Sequence, residues 1–472
     1  MLTPRLGMSA AAMVACVTLT TPVSAEPEPY REVEFTLDSG AVANFGHEPR
    51  VVWTGLVEAP DSHWVRVFFD VADLAVDPET GESAVLRVTS LWDGARQHLD
   101  ALNMNRWQDT TAYFNGDSVV LELIAPPNGL ESRVSVGLVH AGIPVGIPES
   151  ICGATDDRIP SSDPRVGRSV DGCTHWLVHD QHHCIISAGH CSGTFTVIEF
   201  NYPLSDPNGN AVRADPEDQY PVDRGSIHAV GGGIGNDWAY YGLHPNSETG
   251  LTAWQKQDAA FDLMEPPAVN GQDIRITGNG VTSWPIDPTW NRAQKTHAGP
   301  YYSFSGSTLR YQTDTTGGNS GSPVILEPDD VAIGVHTHAG CDSGGGANHG
   351  TGFNNFSWQN AMDSPRGICS QFNLNGAVLI AGQNTTISAS GISAGETVYF
   401  VYSTGGLGET PVDALGITLG LRSPTLGGSA VADSGGVAQI SPFVPSFAQG
   451  FRVWMQAAHV GRTSTINSTV VQ

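Results

Sequence analysis

The chain carries very little positive charge. Its 472 residues include only two lysines, and 22 basic side chains stand against 48 acidic ones, which gives a formal net charge of −26. A surface of this sign repels nucleic acid and anionic membranes. We therefore expect neither of them as a partner.

Long apolar runs are also lacking. No segment reaches the roughly 18 consecutive apolar residues that a membrane-spanning helix needs. The start of the chain is instead typical of a secretory signal, with Arg5, the short apolar run MSAAAMVACVTL, and VSA ending at Ala25. We expect removal of residues 1–25 and secretion of the remainder, outside the cell or into a periplasm.

Recognised metal-binding patterns are missing. The sequence has no CxxC pair, no HExxH helix and no EF-hand loop, although residues 179–191 are rich in histidine and cysteine. We therefore predict no metal site and no cofactor. An even number of cysteines in an oxidising compartment favours disulfides. The cysteines that remain after the signal are Cys152, Cys173, Cys184, Cys191, Cys341 and Cys369.

The composition favours all-β structure. The chain contains 55 glycines and 30 prolines, which is typical of many turns between short strands, and 40% hydrophobic residues, enough for packed cores. Residues 26–147 contain runs with period-two alternation between turn clusters such as DPETGES, which predicts a β-sandwich. The residues on one face of two such runs are Val65, Val67, Phe69, Val134, Val136 and Leu138.

The composition changes twice more along the chain. The Gly/Pro-rich segment AGIPVGIPES is typical of a linker and leads into a cysteine-containing region, residues 148–370. Residues 371–472 contain no cysteine and alternate again in ETVYFVYS and FRVWMQA. We predict a second sandwich there, of immunoglobulin-like or fibronectin-like character.

The stretch DTTGGNSGSPV places Ser320 in a loop with little side-chain bulk. Glycines there permit close approach of a carbonyl group and convergence of backbone N–H groups on a developing oxyanion. A serine nucleophile also needs a base and a carboxylate that orients the base. CIISAGHC offers His190, and GNDWAYYGL offers Asp237.

These motifs resemble those of the chymotrypsin-like serine endopeptidases. SAGHC is similar to the family's histidine motif, NDWAYYGL to its aspartate motif and GNSGSP to its nucleophile motif, in the family's order. The resemblance covers residues 152–369 and neither flank. It implies two six-stranded antiparallel barrels with His190 as base, Asp237 as its partner and Ser320 as nucleophile. The N–H groups of Gly318 and Ser320 would form the oxyanion hole.

The resemblance also implies one disulfide and one departure from trypsin. A bridge between Cys173 and Cys191 would brace the loop of His190, and the other four cysteines allow three pairings. In trypsin an acidic residue before the nucleophile pairs with a newly freed terminal ammonium. Here that position is Asn319, whose neutral amide cannot form the ion pair. We expect an oxyanion hole that forms without a buried terminal ammonium.

Two signals conflict over the residue preferred before the scissile bond. Asp314 stands six residues before Ser320, the spacing of trypsin's pocket carboxylate, which favours Arg or Lys. TTGGNSGSPV followed by IGVHTHAG is more similar to the bacterial glutamyl endopeptidases, in which Thr315 and His336 would hold a substrate carboxylate. We expect a preference for Glu.

The sequence therefore predicts a secreted serine endopeptidase that acts on proteins or peptides. Two alternatives remain: a trypsin-like preference for Arg or Lys, and a catalytically silent homologue that serves as a surface-binding or adhesion protein. The flanking sandwiches are also candidates for binding a surface or polysaccharide.

Overall fold

The computed structural model describes residues 27–77, 80–143, 149–180, 183–327, 329–375 and 378–472. The signal expected at residues 1–25 lies outside the described residues, as do residues 144–148 of the expected linker. No helix in these ranges has the length and hydrophobicity that crossing a membrane requires.

The first part of the chain forms two four-stranded antiparallel sheets around one core. Its elements are β1 (Tyr30–Asp38), β2 (Arg50–Glu58), β3 (Trp64–Asp73), β4 (Val85–Ser90), β5 (Arg96–Leu99), α1 (Ala101–Arg106), β6 (Phe114–Asn115), β7 (Ser118–Ala125) and β8 (Arg133–Gly142). The sheet orders are β1-β8-β3-β6 and β2-β7-β4-β5. In β7, Val119, Leu121 and Leu123 are buried and alternate with less buried residues, as a half-covered strand requires.

A six-stranded closed barrel follows, in the order β11-β12-β13-β16-β15-β14. Two short strands precede it. The elements are β9 (Glu149–Ser150), β10 (Ile159–Pro160), β11 (Val166–Arg168), β12 (Thr174–Leu177), β13 (Ile185–Ser187), a 3-10 turn (Gly189–Thr194), β14 (Val197–Glu199), a 3-10 turn (Pro216–Asp218), β15 (Gln219–Gly231) and β16 (Asp237–Leu243). Every residue of β16 is buried, which explains the unbroken apolar run AYYGL.

A second barrel of six strands closes through a pairing between β18 and β19, in the order β18-β17-β21-β22-β25-β19, and β10 pairs with the outer side of β18. The elements of this region are α2 (Ala253–Gln257), β17 (Asp273–Gly278), a 3-10 turn (Pro288–Trp290), β18 (Lys295–Ser305), β19 (Thr308–Tyr311), β20 (Thr315–Thr316), β21 (Pro323–Leu326), β22 (Val331–His338), β23 (Cys341–Asp342), β24 (Gly345–Gly346), β25 (Asn348–Gly352), α3 (Phe356–Asp363) and a 3-10 turn (Gly367–Ser370).

The last hundred residues form further sandwich-like sheets, in the orders β26-β27-β32 and β31-β28-β33-β34, with a separate hairpin β29-β30. The elements are β26 (Asn373–Asn375), β27 (Ile387–Ser390), β28 (Thr397–Ser403), β29 (Leu407–Val412), a 3-10 turn (Asp413–Leu415), β30 (Ile417–Leu421), β31 (Thr425–Val431), β32 (Val437–Ile440), a 3-10 turn (Ser446–Ala448), β33 (Arg452–His459) and β34 (Arg462–Val470). The expected fold class is confirmed: two six-stranded antiparallel barrels, as in the chymotrypsin fold, with sandwich-like sheets on both sides.

Three disulfides tie the barrel region together. Cys173 pairs with Cys191, as the resemblance implied. The four remaining cysteines pair as Cys152–Cys341 and Cys184–Cys369. The first of these fastens the segment after the linker to the second barrel, and the other joins the start of β13 to the turn that follows α3.

The N-terminal sandwich packs directly on the first barrel through a buried network of charges. Arg213 donates through Nη2 to both carboxylate oxygens of Glu28, at 2.6 and 2.8 Å, and through Nη1 to Glu199 Oε1 at 3.2 Å. Arg168 Nε donates to the other oxygen of Glu199 at 3.0 Å. Burial by itself would raise the pKa of Glu28, but the neighbouring guanidinium groups outweigh it and hold that pKa at about 2.

We expect loss of Arg213 to destabilise the protein strongly. Arg213→Met leaves the Glu28 and Glu199 carboxylates buried without that partner, which costs about 3–5 kcal/mol in such networks. Urea denaturation measures the change. Arg87→Met breaks the more exposed pair Arg87–Glu122 in the same sandwich and serves as the control, with about 0–1 kcal/mol expected.

The same network has a pH signature. The pKa of Glu28 is depressed in the folded state, so its contribution is complete above the ordinary value of 4.5 and is lost as the pH falls through about 2. Glu28→Gln should flatten this part of the stability curve. An equally steep acid loss in the Gln variant would contradict the assignment.

Candidate active site

His190 and Asp237 meet because of strand register. His190 lies in the 3-10 turn after β13, and Asp237 is the first residue of β16. The two strands are antiparallel, with Ser187 opposite Ala239, so the end of one meets the start of the other. His190 Nδ1 lies 2.7 Å from Asp237 Oδ2, and the His190 backbone N–H donates to Oδ1 at 3.0 Å.

This pairing determines the chemistry that His190 can perform. A carboxylate at Nδ1 holds the ring proton there, which leaves Nε2 as an acceptor. Within the described residues, Nε2 of His190 is buried and has no hydrogen-bond partner. Asp237 is itself buried, and its N–H donates to Thr351 Oγ1 of the second barrel at 3.0 Å. The pair therefore lies at the junction of the two barrels.

Ser320 lies in the turn between β20 and β21, and the first barrel holds this turn. The Ser320 carbonyl accepts the Thr174 N–H at 2.8 Å, and Trp176 Nε1 donates to the Gly321 carbonyl at 3.0 Å. Ser187, three residues before His190, donates its hydroxyl to the Thr174 carbonyl at 2.8 Å. The Ser320 side chain is buried, and its Oγ has no partner among the residues that the structure describes.

The Ser320 turn also offers two backbone donors. In the described part of the chain, no acceptor is found for the N–H groups of Gly318 and Ser320, whereas those of Asn319 and Gly321 donate to Thr316 and His336 carbonyls. Gly318 has a φ of +100°, and a Cβ there would lie 2.8 Å from the Asn279 carbonyl oxygen. Only glycine fits this position, and its N–H is available for an anion.

Asp314 is turned towards the segment after the linker. Its Oδ1 accepts the Cys152 N–H at 2.8 Å, and its Oδ2 accepts the Asp157 N–H at 2.7 Å. Its own N–H donates to His297 Nδ1 at 2.8 Å. Burial raises the pKa of this carboxyl and outweighs the two backbone donors that lower it. The structure thus uses both carboxylate oxygens to hold residues 152–157.

Thr315 and Thr316 differ in what they bond. Thr316 Oγ1 donates to the Val281 carbonyl at 2.9 Å and accepts from Arg158 Nη1 at 2.6 Å. Thr315 Oγ1 accepts from Asn348 Nδ2 at 3.0 Å, and its own proton has no acceptor among the described residues. Thr315 is therefore the one of the two whose hydroxyl can donate to a ligand.

His336 lies in β22 and is buried against Tyr311. The Tyr311 hydroxyl lies 2.7 Å from His336 Nδ1 and 3.1 Å from the His349 carbonyl oxygen. Burial lowers the pKa of His336 to about 3, so the ring is neutral near pH 7. His338, two residues later, lies with its ring centre 6.2 Å from that of His190. The second barrel thus places buried imidazoles beside the His190–Asp237 pair.

Among the residues that the structure describes, two groups of side chains have the composition of a metal site. In one, Cys173 and Cys191 are joined in a disulfide beside His190, so their sulfur atoms are not thiolate ligands. The other comprises Asp157, His297 and Asp314, in which His297 Nδ1 and both Asp314 oxygens already accept backbone N–H groups. Neither group presents a set of uncommitted donors.

Motif analysis did not identify Arg158, Tyr311 or Asn348, each of which contacts a residue of the candidate site. Arg158 belongs to a charged stretch, TDDR, without periodicity, and Tyr311 lies in an ordinary strand pattern. No short-range signal marks them, because their roles depend on contacts between residues 25 or more positions apart.

No protein-family model and no curated protein matches the chain. Among solved structures, it is similar to a Glu endopeptidase in complex with MPD, at 15% identity over 45% of this chain and 98% of the other, with a TM-score of 0.35. It is similar to the protease Anisep from Arthrobacter nicotinovorans at 16% identity over 42% and 93%, with a TM-score of 0.32. A mutant of human heparin binding protein matches at 14% identity over 44% and 95%, with a TM-score of 0.32. These likenesses cover less than half of this chain and carry no conclusion about its activity.

Proposed function

We propose that the protein is a serine endopeptidase that hydrolyses peptide bonds through Ser320, His190 and Asp237. One observation carries the proposal: Ser320 Oγ and His190 Nε2 are both buried without a partner in the described structure, while the other ring nitrogen of His190 pairs with Asp237. Buried polar atoms normally find partners, so the absence of a partner at both the candidate nucleophile and the candidate base supports a site that a ligand completes.

The geometry supports acyl transfer. Ser320 Oγ attacks the substrate carbonyl carbon while His190 Nε2 takes its proton, and Asp237 stabilises the imidazolium. The N–H groups of Gly318 and Ser320 donate to the oxyanion of the tetrahedral intermediate. His190 then protonates the leaving amine and the C–N bond breaks, leaving an acyl-enzyme. Water, deprotonated by His190, attacks the ester, and the Ser320 oxygen leaves with the proton.

The orientation of Asp314 supports an acidic residue before the scissile bond over a basic one. A carboxylate that selects Arg or Lys has to present its oxygens to the substrate cation. Both oxygens of Asp314 instead accept the N–H groups of Cys152 and Asp157. The trypsin-like alternative therefore requires Asp314 to give up two hydrogen bonds.

Thr315 and His336 provide the donors for a substrate carboxylate. The Thr315 hydroxyl proton has no acceptor among the described residues. The Tyr311 hydroxyl donates to the His349 carbonyl and therefore accepts from His336 Nδ1, so Nε2 of His336 becomes a donor when the ring takes up a proton together with the substrate carboxylate. A hydroxyl and an imidazole N–H suit an anion, and the bound anion in turn favours a charged imidazole. We propose a preference for Glu on this basis.

A fluorophosphonate probe tests the catalytic assignment. We expect it to label the wild-type protein at Ser320, because the activated Oγ displaces fluoride from phosphorus. Ser320→Ala should lose the label completely, and His190→Ala should react far more slowly. Peptide mapping of the labelled protein identifies the residue. A label elsewhere, or none on the folded wild type, would support the silent-homologue alternative.

The C-terminal sandwich has a feature suited to accessory binding. A cavity of about 580 Å³ in this sandwich is bordered by exposed Phe443, Phe447 and Phe451, and no charged side chain lines it. Exposed aromatic clusters of this kind are typical of interaction sites. We propose that this sandwich holds the enzyme near its protein substrates or a surface, in addition to peptide hydrolysis.

We also propose that the protein acts after secretion. The three disulfides of the barrel region favour an oxidising compartment, which agrees with the signal motif at residues 1–25.

A further inference from the structure

Arg158 is a buried cation beside the candidate oxyanion hole. Its side chain is 2% exposed and pairs with Asp156, Nη2 to Oδ2 at 2.6 Å and Nε to Oδ1 at 2.8 Å. Nη1 points to the turn before Ser320 and donates to Thr316 Oγ1 at 2.6 Å and to Asn319 Oδ1 at 3.3 Å. The guanidinium thus joins the segment after the linker to the two ends of that turn.

The turn is closed by Asn319. Its Oδ1 accepts the Thr316 N–H at 3.0 Å, and its own N–H donates to the Thr316 carbonyl at 3.0 Å. Arg158 therefore contacts both residues that define the turn containing Gly317 and Gly318. A Cβ at Gly280 would collide with Arg158 Nη1 and Asn319 Oδ1, so glycine at that position permits the approach of the guanidinium.

A second chain of hydrogen bonds, which starts at Arg158, fixes the direction in which the Gly318 N–H points. Arg158 Nη2 donates to the Val281 carbonyl at 2.9 Å, and the Val281 N–H donates to the Gly317 carbonyl at 2.9 Å. The Gly317 carbonyl and the Gly318 N–H belong to one planar trans peptide and point in opposite directions. Holding the carbonyl towards Val281 therefore aims the Gly318 N–H to the other side, where it has no acceptor in the described structure.

We infer that Arg158 is a positioning residue that holds the Gly318 N–H in the geometry of the oxyanion hole. The inference rests on the proposed function. The cation beside the neutral Asn319 is the side chain of Arg158, which belongs to the chain itself. The hydrogen bonds by which Arg158 holds the turn therefore do not depend on a freed chain terminus. Cleavage of the linker is accordingly not required to form the oxyanion hole.

The test compares kcat and KM of Arg158→Met with those of the wild type on a peptide ester and a peptide amide. Misplacement of one oxyanion donor costs about 10²–10³-fold in kcat, so we expect a loss of about 10²-fold or more with a nearly unchanged KM. Arg165→Met is the matched control, because Arg165 pairs with Asp163 two residues before it, at 2.6 Å, and contacts no residue of the Ser320 turn. We expect its kcat to equal that of the wild type.

Chemical rescue separates positioning from stability. Arg158→Ala leaves a space that guanidinium ion can occupy, so millimolar guanidinium chloride should restore part of the lost kcat. The same salt should not restore Arg158→Met, whose side chain fills the space. A merely structural role would give no rescue at concentrations that leave the melting temperature unchanged, and that outcome would overturn the inference.

Two further variants cover the case in which Arg158→Met does not fold. Arg158→Lys keeps a cation but cannot bond Thr316 and Val281 together, and Asp156→Asn weakens the anchor of the guanidinium. We expect kcat to fall by about tenfold or more in each. If both variants fold and keep the wild-type kcat, the inference about Arg158 is overturned but the proposed function is not. A wild type without Ser320-dependent activity would instead overturn the proposed function.

Discussion

Ser320→Ala and His190→Ala should each lower kcat by about 10⁴- to 10⁶-fold, and the double variant should lose little more. In the proposed mechanism the serine is a weak nucleophile without its base, and the base has no proton to accept without the serine, so we expect the two to act as one unit. The measurement is kcat on a peptide amide and a peptide ester for the wild type, both single variants and the double variant.

Ser322→Ala is the matched control for this experiment. Ser322 lies in the same turn and is equally buried, but its Oγ makes only a 3.5 Å contact from Asn319 Nδ2. We expect its kcat to stay within about tenfold of the wild type, because the hydroxyl has no part in acyl transfer. Substantial amidase activity in Ser320→Ala, or additive losses in the double variant, would contradict the triad.

The fold class was predictable from the sequence because local patterns agreed with one another. Period-two alternation, turn clusters and the three motifs all favoured β-structure, and the structure has it in each region. His190 and Asp237 were also identifiable, since each follows or begins a buried strand, and an antiparallel pairing of those strands brings them together.

Side-chain direction was less predictable where strands are irregular. The alternation in β8 favoured Val134, Val136 and Leu138 on one face, but the structure buries Val139 in place of Leu138. The pairing with β3 shifts register between Phe68 and Phe69, which moves the buried face by one residue. A bulge of this kind depends on the neighbouring strand and leaves no pattern in the strand itself.

Arg66 is another residue whose burial the strand pattern did not predict, here because a different domain covers it. Alternation in β3 left it on the face opposite Val65 and Val67, yet it is buried as well. Its guanidinium donates to Thr196 Oγ1 of the first barrel at 3.0 Å. The sandwich covers this face by packing on the barrel, and no local pattern reports a contact between residues 130 positions apart.

The orientation of the Asp314 side chain could likewise not be predicted from its spacing to Ser320 in the sequence. Counting from Ser320 placed it at the position of a pocket carboxylate, but the segment after the linker passes close by and its backbone N–H groups capture both oxygens. Spacing along one loop cannot report which other segment packs against it. The choice between Glu and Arg or Lys therefore depends on the structure and on a direct measurement.

A mixed peptide library should be cleaved after Glu, and His336→Phe should reduce kcat/KM for Glu substrates by about 10²–10³-fold. This is the scale expected when a substrate charge loses a buried hydrogen-bond donor. Substrates with Gln at the same position should change much less. Asp314→Asn is the discriminating control: it weakens the contacts to Cys152 and Asp157 but should leave the ratio of Glu to Arg cleavage unchanged.

The pH dependence gives this prediction a second readout. Burial holds the pKa of His336 at about 3 in the free protein, and a bound carboxylate raises it, so binding a Glu substrate favours proton uptake. The substrate carboxyl is ionised above about pH 4.3. Above that pH, the ratio of the affinities for Glu and Gln substrates should fall as the pH rises towards the pKa that His336 has in the substrate complex. His336→Phe should abolish this slope. Consistent cleavage after Arg or Lys, lost in Asp314→Asn, would reject the Glu preference, make Asp314 the selecting residue and leave His336 with a packing role against Tyr311.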